Sequence, residues 1–425
     1  MAACPRPREA SRVDVIHERC AGIDIGKADL KACIRVPTAS SRRRRKEVRT
    51  FATTTNALLQ LRDWLMAEGI TVVGMEATGS YWKPVFYLLE DAFDVQLLNA
   101  RHMHAVPGRK TDVTDAAWIA ELVEHGLVRP SFVPPPPIRR LRDLTRYRSE
   151  LVHERTREAQ RLEKLLEDAG IKLSVVASDI LGVSGRAMLE ALIAGERDPH
   201  QLADLAKRRM RVKIPQLVEA LTGRFGDHHA FLARAMLNRI DAANATINDL
   251  SSRIEAECTP FRRQLERLHT IPGVSQRTAE VIIAETGVDP SQFTTAAHLA
   301  SWAGVCPGNN ESAGRHMSGR TRPGDTWLKA ALGEAAMAAS RTKNTYLAAR
   351  YRRVAARRGN KRALVAVAHT ILIATWHMLT HDLTYHDLGG DYFIQRQDHT
   401  RQTRRLTARL NQLGYQVILN PIPAA

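Results

Sequence analysis

The sequence predicts an α/β domain followed by a mostly helical region. Three β-type segments open the chain, and helical and β-type segments then alternate up to about residue 133, a pattern typical of layered α/β folds. A run of four prolines, Pro134 to Pro137, comes next. Such a run should be extended and stiff, so we place a domain boundary there. Beyond it, apolar residues recur at steps of three and four, which is helical spacing.

Within the first domain, residues 1–133, the order of the elements predicts a ribonuclease-H-like fold. Residues 20–36 (CAGIDIGKADLKACIRV) predict two strands with a tight Gly-Lys-Ala turn, and VRTFATT at 48–54 adds a third strand. The elements that follow are a helix over NALLQLRDWLMAEG, a strand at 71–77, a helix from Tyr81 to Glu90, a strand at 94–99 and a helix from Asp112 to Glu124.

Two long amphipathic helices are predicted in residues 134–267. The first runs from Ile138 to about Ala169, and the second carries apolar residues from Met236 to Leu268 at coiled-coil spacing, with a kink at Pro260. The sequence leaves open whether they pair with each other or with another subunit. A compact helical domain over 268–385 and a tail over 386–425, with one helix and a candidate strand, complete the chain.

Net charge points to a polyanionic partner. The chain has 62 Lys and Arg against 45 Asp and Glu, a formal charge of +17, which is typical of proteins that bind nucleic acid. Residues 315–362 hold 13 of these bases against two acids. Residues 363–380 approach the length of a membrane span, but two histidines within them favour a buried helix. We therefore expect nucleic acid as the partner and no membrane.

The five cysteines are odd in number, widely spaced and free of any CxxC pair. This pattern argues against a disulfide framework and a zinc site, and it favours a reducing cytosol. The N-terminus has no apolar run of the signal-peptide kind.

Four carboxylates stand where an α/β sheet places a site. Asp24 lies on the face of its strand opposite its apolar neighbours, and Glu76 ends a strand just before a helix. Asp112 and Asp115 are three residues apart and share a helix face. Mg²⁺ prefers oxygen ligands, and a pair of such ions supports phosphoryl transfer. Together these acids predict a Mg²⁺ site, although each alone has a simpler interpretation as a helix-dipole, turn or edge acid.

Residues 269–287 (HTIPGVSQRTAEVIIAETG) predict two helices joined by a tight turn that contains Pro272 and Gly273. A helix-hairpin-helix of this kind presents backbone N–H groups to phosphate, so Gly273 is a candidate nucleic-acid contact. Ser275 stands where a second glycine is common, and a purely structural turn stays open.

The segment GNNESAGRHMSGR at 308–320 places Ser312 among small residues. A serine acts as a nucleophile where its proton can be removed and where small neighbours let a substrate backbone approach. An ordinary loop or cap serine is the alternative, and Ser318 and a base at His316 are further candidates. The bases expected to contact phosphate are Arg315, Arg320, Arg322, Arg352, Arg353, Arg357 and Arg358, with Arg350 and Arg362 in the same run; a merely solvated basic face is the alternative.

Seven motifs resemble, in order, those of the transposases of insertion-sequence family 110. They are GIDIGK, MEATG, KTDVTDA, IPGV with TAEVIIAE, AGVCPGNNESAG, GRTRPGDTWLKAAL and YRRVAARRGNKRALVAVAH. The resemblance extends from about residue 20 to 420 and covers two separate domains in the correct order.

This resemblance implies a RuvC-like DEDD domain, a coiled-coil region and a transposase domain with a nucleophilic serine. It implies that Asp24, Glu76, Asp112 and Asp115 hold Mg²⁺ and that Ser312 forms a covalent phosphoserine link to DNA. Members of the family are recombinases guided by a structured noncoding bridge RNA, and they assemble as tetramers whose active sites combine the DEDD domain of one subunit with the serine domain of another. Some relatives have SSGG at the serine turn where this chain has ESAG, so Ser318 stays open as the nucleophile.

The function expected from the sequence is therefore transposition, with donor and target DNA, a bridge RNA and a second copy of the chain as partners. One rival is a metal-dependent Holliday-junction-resolving nuclease, in which water attacks and Ser312 is structural. The other rival is a non-catalytic nucleic-acid-binding protein. Four clustered acids argue against it, because bringing like charges together is costly and gives a pure DNA binder no advantage.

Overall fold

The computed structural model describes residues 14–38, 41–99, 115–308, 311–312, 314–316, 319–396 and 399–419. The chain divides into two compact units, Met1–Val133 and Pro134–Ala425. The first is α/β and the second is mostly helical, which confirms the predicted fold class at this level.

A five-stranded mixed sheet forms the centre of the first unit. Its strands are β1 (Cys20–Ile25), β2 (Asp29–Thr38), β3 (Ser41–Ala52), β4 (Val72–Glu76) and β5 (Asp94–Leu98), arranged in the order β3-β2-β1-β4-β5. The pairs β1–β2 and β2–β3 are antiparallel, whereas β1–β4 and β4–β5 are parallel. β3 begins seven residues before the predicted start at Val48, because it is an edge strand on which charged side chains can stay in solvent.

Helices cover both faces of this sheet. Alternate residues of β1 and β4, including Ile23 and Met75, pack against α1 (Thr55–Ala67) and α2 (Trp82–Leu89) in the larger core. Helix α3 (Asp115–Glu124) packs with β1 and β2 through the opposite set of residues. The sheet therefore has a thick apolar face and a second face that only α3 covers among the described residues.

Two long helices open the second unit. α4 (Pro136–Asp168) and α9 (Asp227–Glu257) pack along each other within the same chain. This pairing settles one alternative that the sequence left open, while an added pairing with another subunit stays a prediction. α9 ends before Pro260, where a short 3₁₀ turn and then α10 (Arg262–His269) follow, so the expected kink is a break.

The proline run is extended only in its first half. Pro135 is extended, with φ −64° and ψ 159°, while Pro136 and Pro137 form the first turn of α4. Proline fits that turn because its missing N–H has no helical partner there anyway. The prediction of four extended prolines is therefore wrong for the last two.

Between α4 and α9 lies a small helical insertion that the sequence analysis did not place. It contains α5 (Leu173–Val176), α6 (Val183–Ala194), α7 (Pro199–Asp204) and α8 (Ile214–Leu221). Buried leucines from these helices and from the adjoining ends of α4 and α9 form its own core.

The rest of the second unit is a compact group of helices around a central one. Its elements are α11 (Gln276–Thr286), α12 (Ala296–Trp302), the ribbon β6 (Glu311–Ser312) and β7 (Arg315–His316), α13 (Thr326–Ser340), α14 (Tyr346–Arg358), α15 (Asn360–His381), α16 (Tyr392–Gln395) and α17 (His399–Gln412). Residues 413–419 are turn and coil, so the candidate strand of the tail is wrong.

Helix α15 is the central one. Its length and composition alone would allow it to cross a membrane, but it packs against α12, α13 and α14. Ile371 and Leu372 are fully buried in this packing. The helix thus has the surroundings of a core helix, as predicted.

Candidate functional site

Asp24 and Glu76 stand side by side at the ends of two parallel strands. β1 and β4 pair with Ile23 opposite Met75, so Asp24 and Glu76 occupy the next position along each strand. Residues in register on adjacent parallel strands point to the same face, and the strands lie about 4.8 Å apart. Both acids are partly buried. The alternation seen in the sequence therefore placed them on the correct face.

Helix α3 packs on that same face. Gly22 and Gly74 each precede one of the two acids by two residues and so share its face. A Cβ atom at Gly22 would collide with the backbone of α3 at Ala116 and Ala120, and one at Gly74 would collide with Val123. The two glycines allow α3 to lie directly on the strands that carry the acids.

The direction of α3 places its first residue, Asp115, at the end of the sheet that carries the acids. Ala116 and Ala120 both lie at Gly22, and the carbonyl oxygen of Ala120 is 3.5 Å from Sγ of Cys20, nearer the start of β1. Glu124, farther along the helix, pairs with Arg35, which lies opposite Cys20. α3 therefore runs opposite to β1, and its N-terminal end is at the carboxyl end of the strand. Asp115 therefore begins α3 at the end of the sheet where Asp24 and Glu76 lie, on the same face. Asp112 lies outside the described residues.

Glu124 anchors the other end of α3. Its side chain is almost completely buried, and its Oε2 lies 2.6 Å from Nη2 of Arg35 on β2 and pairs through Oε1 with Arg44 on β3. Its backbone carbonyl accepts hydrogen bonds from the amides of Ile16 and His17. These contacts hold α3 across the antiparallel part of the sheet.

Cys20 lies close to this anchor and has no nucleophilic character. Burial, with a further contribution from the charge of Glu124, raises the pKa of its thiol to about 12. The thiol is therefore protonated at neutral pH and serves as a packing group.

The chemistry of these acids suits a hard divalent cation. The donors are carboxylate oxygens, the ligands that such ions prefer, and they come from two strand ends and one helix start. Negative charges gathered on one face of the sheet repel each other unless a cation neutralises them. Asp24, Glu76 and Asp115 would hold the ion, and Asp112 is the fourth predicted ligand.

The backbone of Ser312 lies at the tip of a two-stranded ribbon. Ser312 pairs with Arg315 and Glu311 with His316, so the two strands are paired up to Ser312 and Arg315. Gly314 has φ +75°, a conformation that glycine adopts without strain. Ser312 is therefore the last paired residue of β6. Ser318 lies outside the described residues.

A basic cavity of about 850 Å³ adjoins the base of this ribbon. Val305, Pro307 and Gly319 form part of its wall, and His369 from α15 lines it as well. Burial and the nearby charge of Arg350 lower the pKa of His369. The cations around the cavity are Arg320, Arg350, Arg358, Lys361 and Arg362.

The structure sorts the predicted phosphate-binding arginines into two groups. Arg320 and Arg358 line the cavity, as Arg350 and Arg362 do. The others, which are exposed but do not line it, are Arg315, Arg322, Arg352, Arg353 and Arg357. Lys361 and His369 are cavity residues that the sequence analysis did not single out. Lys361 belongs to the basic run, but nothing in the sequence marks His369.

Gly273 has a packing reason for its presence. It adopts φ +89° in the turn between α10 and α11, and a Cβ atom there would collide with the backbone of α13 at Ala335 and Ala339. Ser275, at the position where we expected a second glycine, instead caps α11 by accepting a hydrogen bond from the Thr278 amide. A phosphate contact at Gly273 stays a prediction.

A buried ionic network joins α4 to α11 and α13. Nε and Nη2 of Arg146 each lie 2.7 Å from one carboxylate oxygen of Glu285, and Nη2 lies 3.3 Å from Asp325. One turn of α11 away, Arg148 pairs with Glu280 at 2.7 Å. The partners are more than 130 residues apart along the chain, so no local sequence signal could have revealed them.

Asp168, His228 and His229 form a second group of metal-ligand type, at the junction of α4 and α9. The amide of Gly226 donates to Nδ1 of His229, whose Nε2 lies 3.2 Å from Asp168. Because Nδ1 accepts a hydrogen bond, the proton of the neutral ring is on Nε2 and faces Asp168. Both ring nitrogens are therefore engaged in fastening the helix junction.

Comparison with known proteins gives matches in both units. A transposase family model for the DEDD domain of IS110 elements matches residues 21–171, and the model "Transposase IS116/IS110/IS902 family" matches residues 265–352. A probable family 20 transposase of Pseudomonas aeruginosa is 26% identical over 333 residues, 77% of this chain and 89% of its own length.

Two further relatives agree with these matches. The transposase for insertion sequence element IS1111A of Coxiella burnetii is 26% identical over 74% of this chain and 79% of its own length. The insertion element IS110 uncharacterized 43.6 kDa protein of Streptomyces coelicolor is 43% identical over 67 residues, 15% of this chain and 16% of its own length.

Proposed function

The chain belongs to the IS110 family of transposases, and we propose that it cuts and rejoins DNA through a covalent link to Ser312 with the help of Mg²⁺ held by the acids of its first unit. The observation that carries this proposal is that Asp24 and Glu76 stand side by side at the ends of two parallel strands, with Asp115 at the start of the helix that covers the same face. A protein that only binds nucleic acid has no use for that arrangement.

The strand order β3-β2-β1-β4-β5 and the place of the acids support a ribonuclease-H-like, RuvC-like assignment of the first unit. A divalent ion at these acids supplies charge stabilisation to phosphoryl transfer. The residues of the chain hold that charge in place: the strands fix Asp24 and Glu76, and the Glu124 anchor fixes the helix that carries Asp115.

Ser312 would perform the exchange of bonds. Its Oγ loses a proton and bonds to phosphorus, while the bond from phosphorus to a deoxyribose oxygen breaks and that oxygen takes up a proton. Rejoining reverses the exchange with the hydroxyl of a new strand end. Each step replaces one phosphoester bond with another, so joining needs no ATP. The small residues that follow Ser312 in the sequence leave room for the DNA backbone, and nearby arginines can receive the phosphate charge.

Three finer features follow from the family rather than from this chain's geometry. They are guidance by an element-encoded bridge RNA, assembly as an oligomer with composite active sites, and coiled-coil and helix-hairpin-helix roles for the α4–α9 pair and for α10–α11. The pairing of α4 with α9 and the tight turn at Gly273 support the last of these.

The proposal is tested by an excision assay in cells that carry the whole element with its flanking noncoding DNA. We expect Ser312→Ala and Asp112→Ala each to reduce junction formation at least about 1,000-fold, because each removes a group of the reacting unit. Ser291→Ala, at an exposed serine of the same unit, is the matched control and should recombine as wild type.

The covalent step has its own measurement. Wild-type protein should form an adduct with DNA that survives denaturing electrophoresis, and Ser312→Ala should not. Normal recombination by Ser312→Ala would move the nucleophile elsewhere, with Ser318→Ala as the next variant. Cleavage without any adduct would favour a metal-dependent nuclease in which water attacks.

A further inference from the structure

The basic cavity next to the serine ribbon gathers an excess of positive charge. Its lining has five cations, and none of its lining residues is a carboxylate. Like charges gathered around one cavity repel each other, and that repulsion lowers stability unless an anion binds among them.

Two of these cations stand at an unfavourable end of a helix. Lys361 and Arg362 lie in the first turn of α15, which contains no acidic residue. The N-terminus of a helix carries a partial positive charge and exposes N–H groups, so cations there destabilise the helix, whereas a bound anion stabilises it. The position of Lys361 and Arg362 is therefore unfavourable in the isolated protein and becomes favourable when an anion is bound.

Arg350 supplies an independent observation. Its Nε atom is buried and has no hydrogen-bond partner among the described residues, although its side chain lines the cavity. A buried donor without a partner is costly, and a phosphate oxygen in the cavity would satisfy it with a charge-assisted hydrogen bond.

Part of the cavity lining is apolar. Val305, Pro307, Val365 and Ala366 line it. A free inorganic anion gains nothing from such a wall, whereas a nucleotide of a polynucleotide strand places its phosphate against the cations and its sugar and base against the apolar side chains.

The distance from the cavity to Ser312 limits which phosphates of the strand can lie in the cavity. The amide of Gly308 donates to the carbonyl of Arg320 at 3.2 Å, which closes the base of the ribbon. Ser312 is four positions after Gly308, so even an extended chain places the serine at most about 14 Å away. With a rise of about 3.4 Å per nucleotide, the cavity lies within about four nucleotides of the serine.

We propose that this cavity holds the DNA strand at phosphates a few nucleotides from the one that Ser312 attacks, with Arg350, Arg358, Lys361 and Arg362 as positioning residues. The inference rests on the proposed function for the identity of the strand as DNA. The cavity sets the register of the strand and does not take part in the exchange of bonds.

The test uses the full-length protein and a fluorescent single-stranded DNA oligonucleotide from an element end, with an RNA of the same sequence as the second probe. Binding is measured by anisotropy over a salt series for the double variant Lys361→Gln, Arg362→Gln. The matched control is Arg341→Gln, Lys343→Gln, which removes the same charge from exposed positions outside the cavity.

We expect the cavity variant to bind DNA at least about 10-fold more weakly and to lose about 1.4 from its log–log salt slope, because two phosphate contacts disappear. The control should change affinity less than about 2-fold. A second variant, Val365→Glu, introduces a negative charge into the cavity wall at an exposed helical position and should weaken DNA binding to a similar degree.

Equal DNA affinity for the cavity variants and the control would overturn the proposal, and so would a loss confined to the RNA probe. The adduct assay separates this inference from the proposed function. If wild type forms no adduct but the cavity variants still lose DNA binding, only the serine mechanism fails. If wild type forms the adduct and the cavity variants bind and react normally, only the cavity assignment fails.

Discussion

At the scale of single residues, two glycines allow α3 to lie directly on the strands that carry Asp24 and Glu76. Gly22 and Gly74 occupy positions where a strand would normally carry a side chain, and α3 fills that space instead. The acids themselves are conspicuous in the sequence, in GIDIG and GMEATG. The need for glycine beside them becomes clear only when the helix lies on the strands.

We predict that Gly22→Ala disrupts the acid site without altering any acid. The new Cβ would meet the backbone of α3, which cannot move aside as a flexible side chain can. Overpacking of this kind costs about 1–3 kcal/mol. Excision frequency and the thermal midpoint of the first unit should both fall.

Gly333→Ala in α13 is the matched control, since a Cβ there meets open space. Alanine in place of a mid-helix glycine should leave stability unchanged or raise it by about 0.5–1 kcal/mol. Equal behaviour of the two variants would show that α3 does not approach β1 as closely as described.

At the scale of elements, ion pairs between residues distant in the chain hold helices in place. The sequence predicted only where such helices begin and end. Arg35 with Glu124 fixes α3 on the sheet, and Arg146 with Glu285 fixes α4 on α11. Asp325, which also contacts Arg146, caps α13 by accepting a hydrogen bond from the Leu328 amide at 2.7 Å. The ribbon that carries Ser312 lies between α12 and α13 in the chain, so this network holds the scaffold around it.

We predict that Glu285→Gln destabilises the second unit by about 3 kcal/mol, because it leaves Arg146 without its buried countercharge. Asp241→Asn is the control: it removes an ion pair with Arg186 from a more exposed site, which should cost less than about 1 kcal/mol. Thermal unfolding of the full-length variants checks both values. Similar midpoints for the two variants would mean that the network around Glu285 contributes little.

At the scale of the whole molecule, the charge is concentrated where the proposed chemistry takes place. The basic run at 315–362 supplies part of the serine ribbon and all five cations of the cavity. The acids lie in the other unit. The proposed mechanism therefore requires the acids of the first unit and the basic run of the second unit to act on one DNA strand.

If active sites combine units from different subunits, two inactive variants should complement each other. We predict that co-expression of Ser312→Ala with Asp24→Ala restores part of the excision activity, because mixed oligomers contain some sites with an intact serine and intact acids. Excision frequency in the cell is the measurement. A mixture as inactive as either variant alone would indicate that each active site is built within one subunit.

Much of the architecture was predictable from the chain itself. Strand alternation placed Asp24 on the correct face, and the order of elements in the first unit is confirmed. The helical insertion after α4 was missed because its short helices have little periodicity of their own, and they are stable only through the shared core with α4 and α9. Five of the nine arginines expected at phosphates do not line the cavity. Three of these five, Arg352, Arg353 and Arg357, are on α14, and periodicity alone did not show which face of that helix lines the cavity.

The sequence by itself determined the family, the fold class, the positive charge and the identities of the candidate acids and serine, because these depend on local patterns and on residue type. Only the tertiary structure decided that Asp24, Glu76 and Asp115 lie on one face of the sheet, that Gly22 and Gly74 admit α3, and that Arg350 and Lys361 share a cavity. The physical reason is that each of these facts depends on packing between segments distant in the chain, which no local pattern encodes.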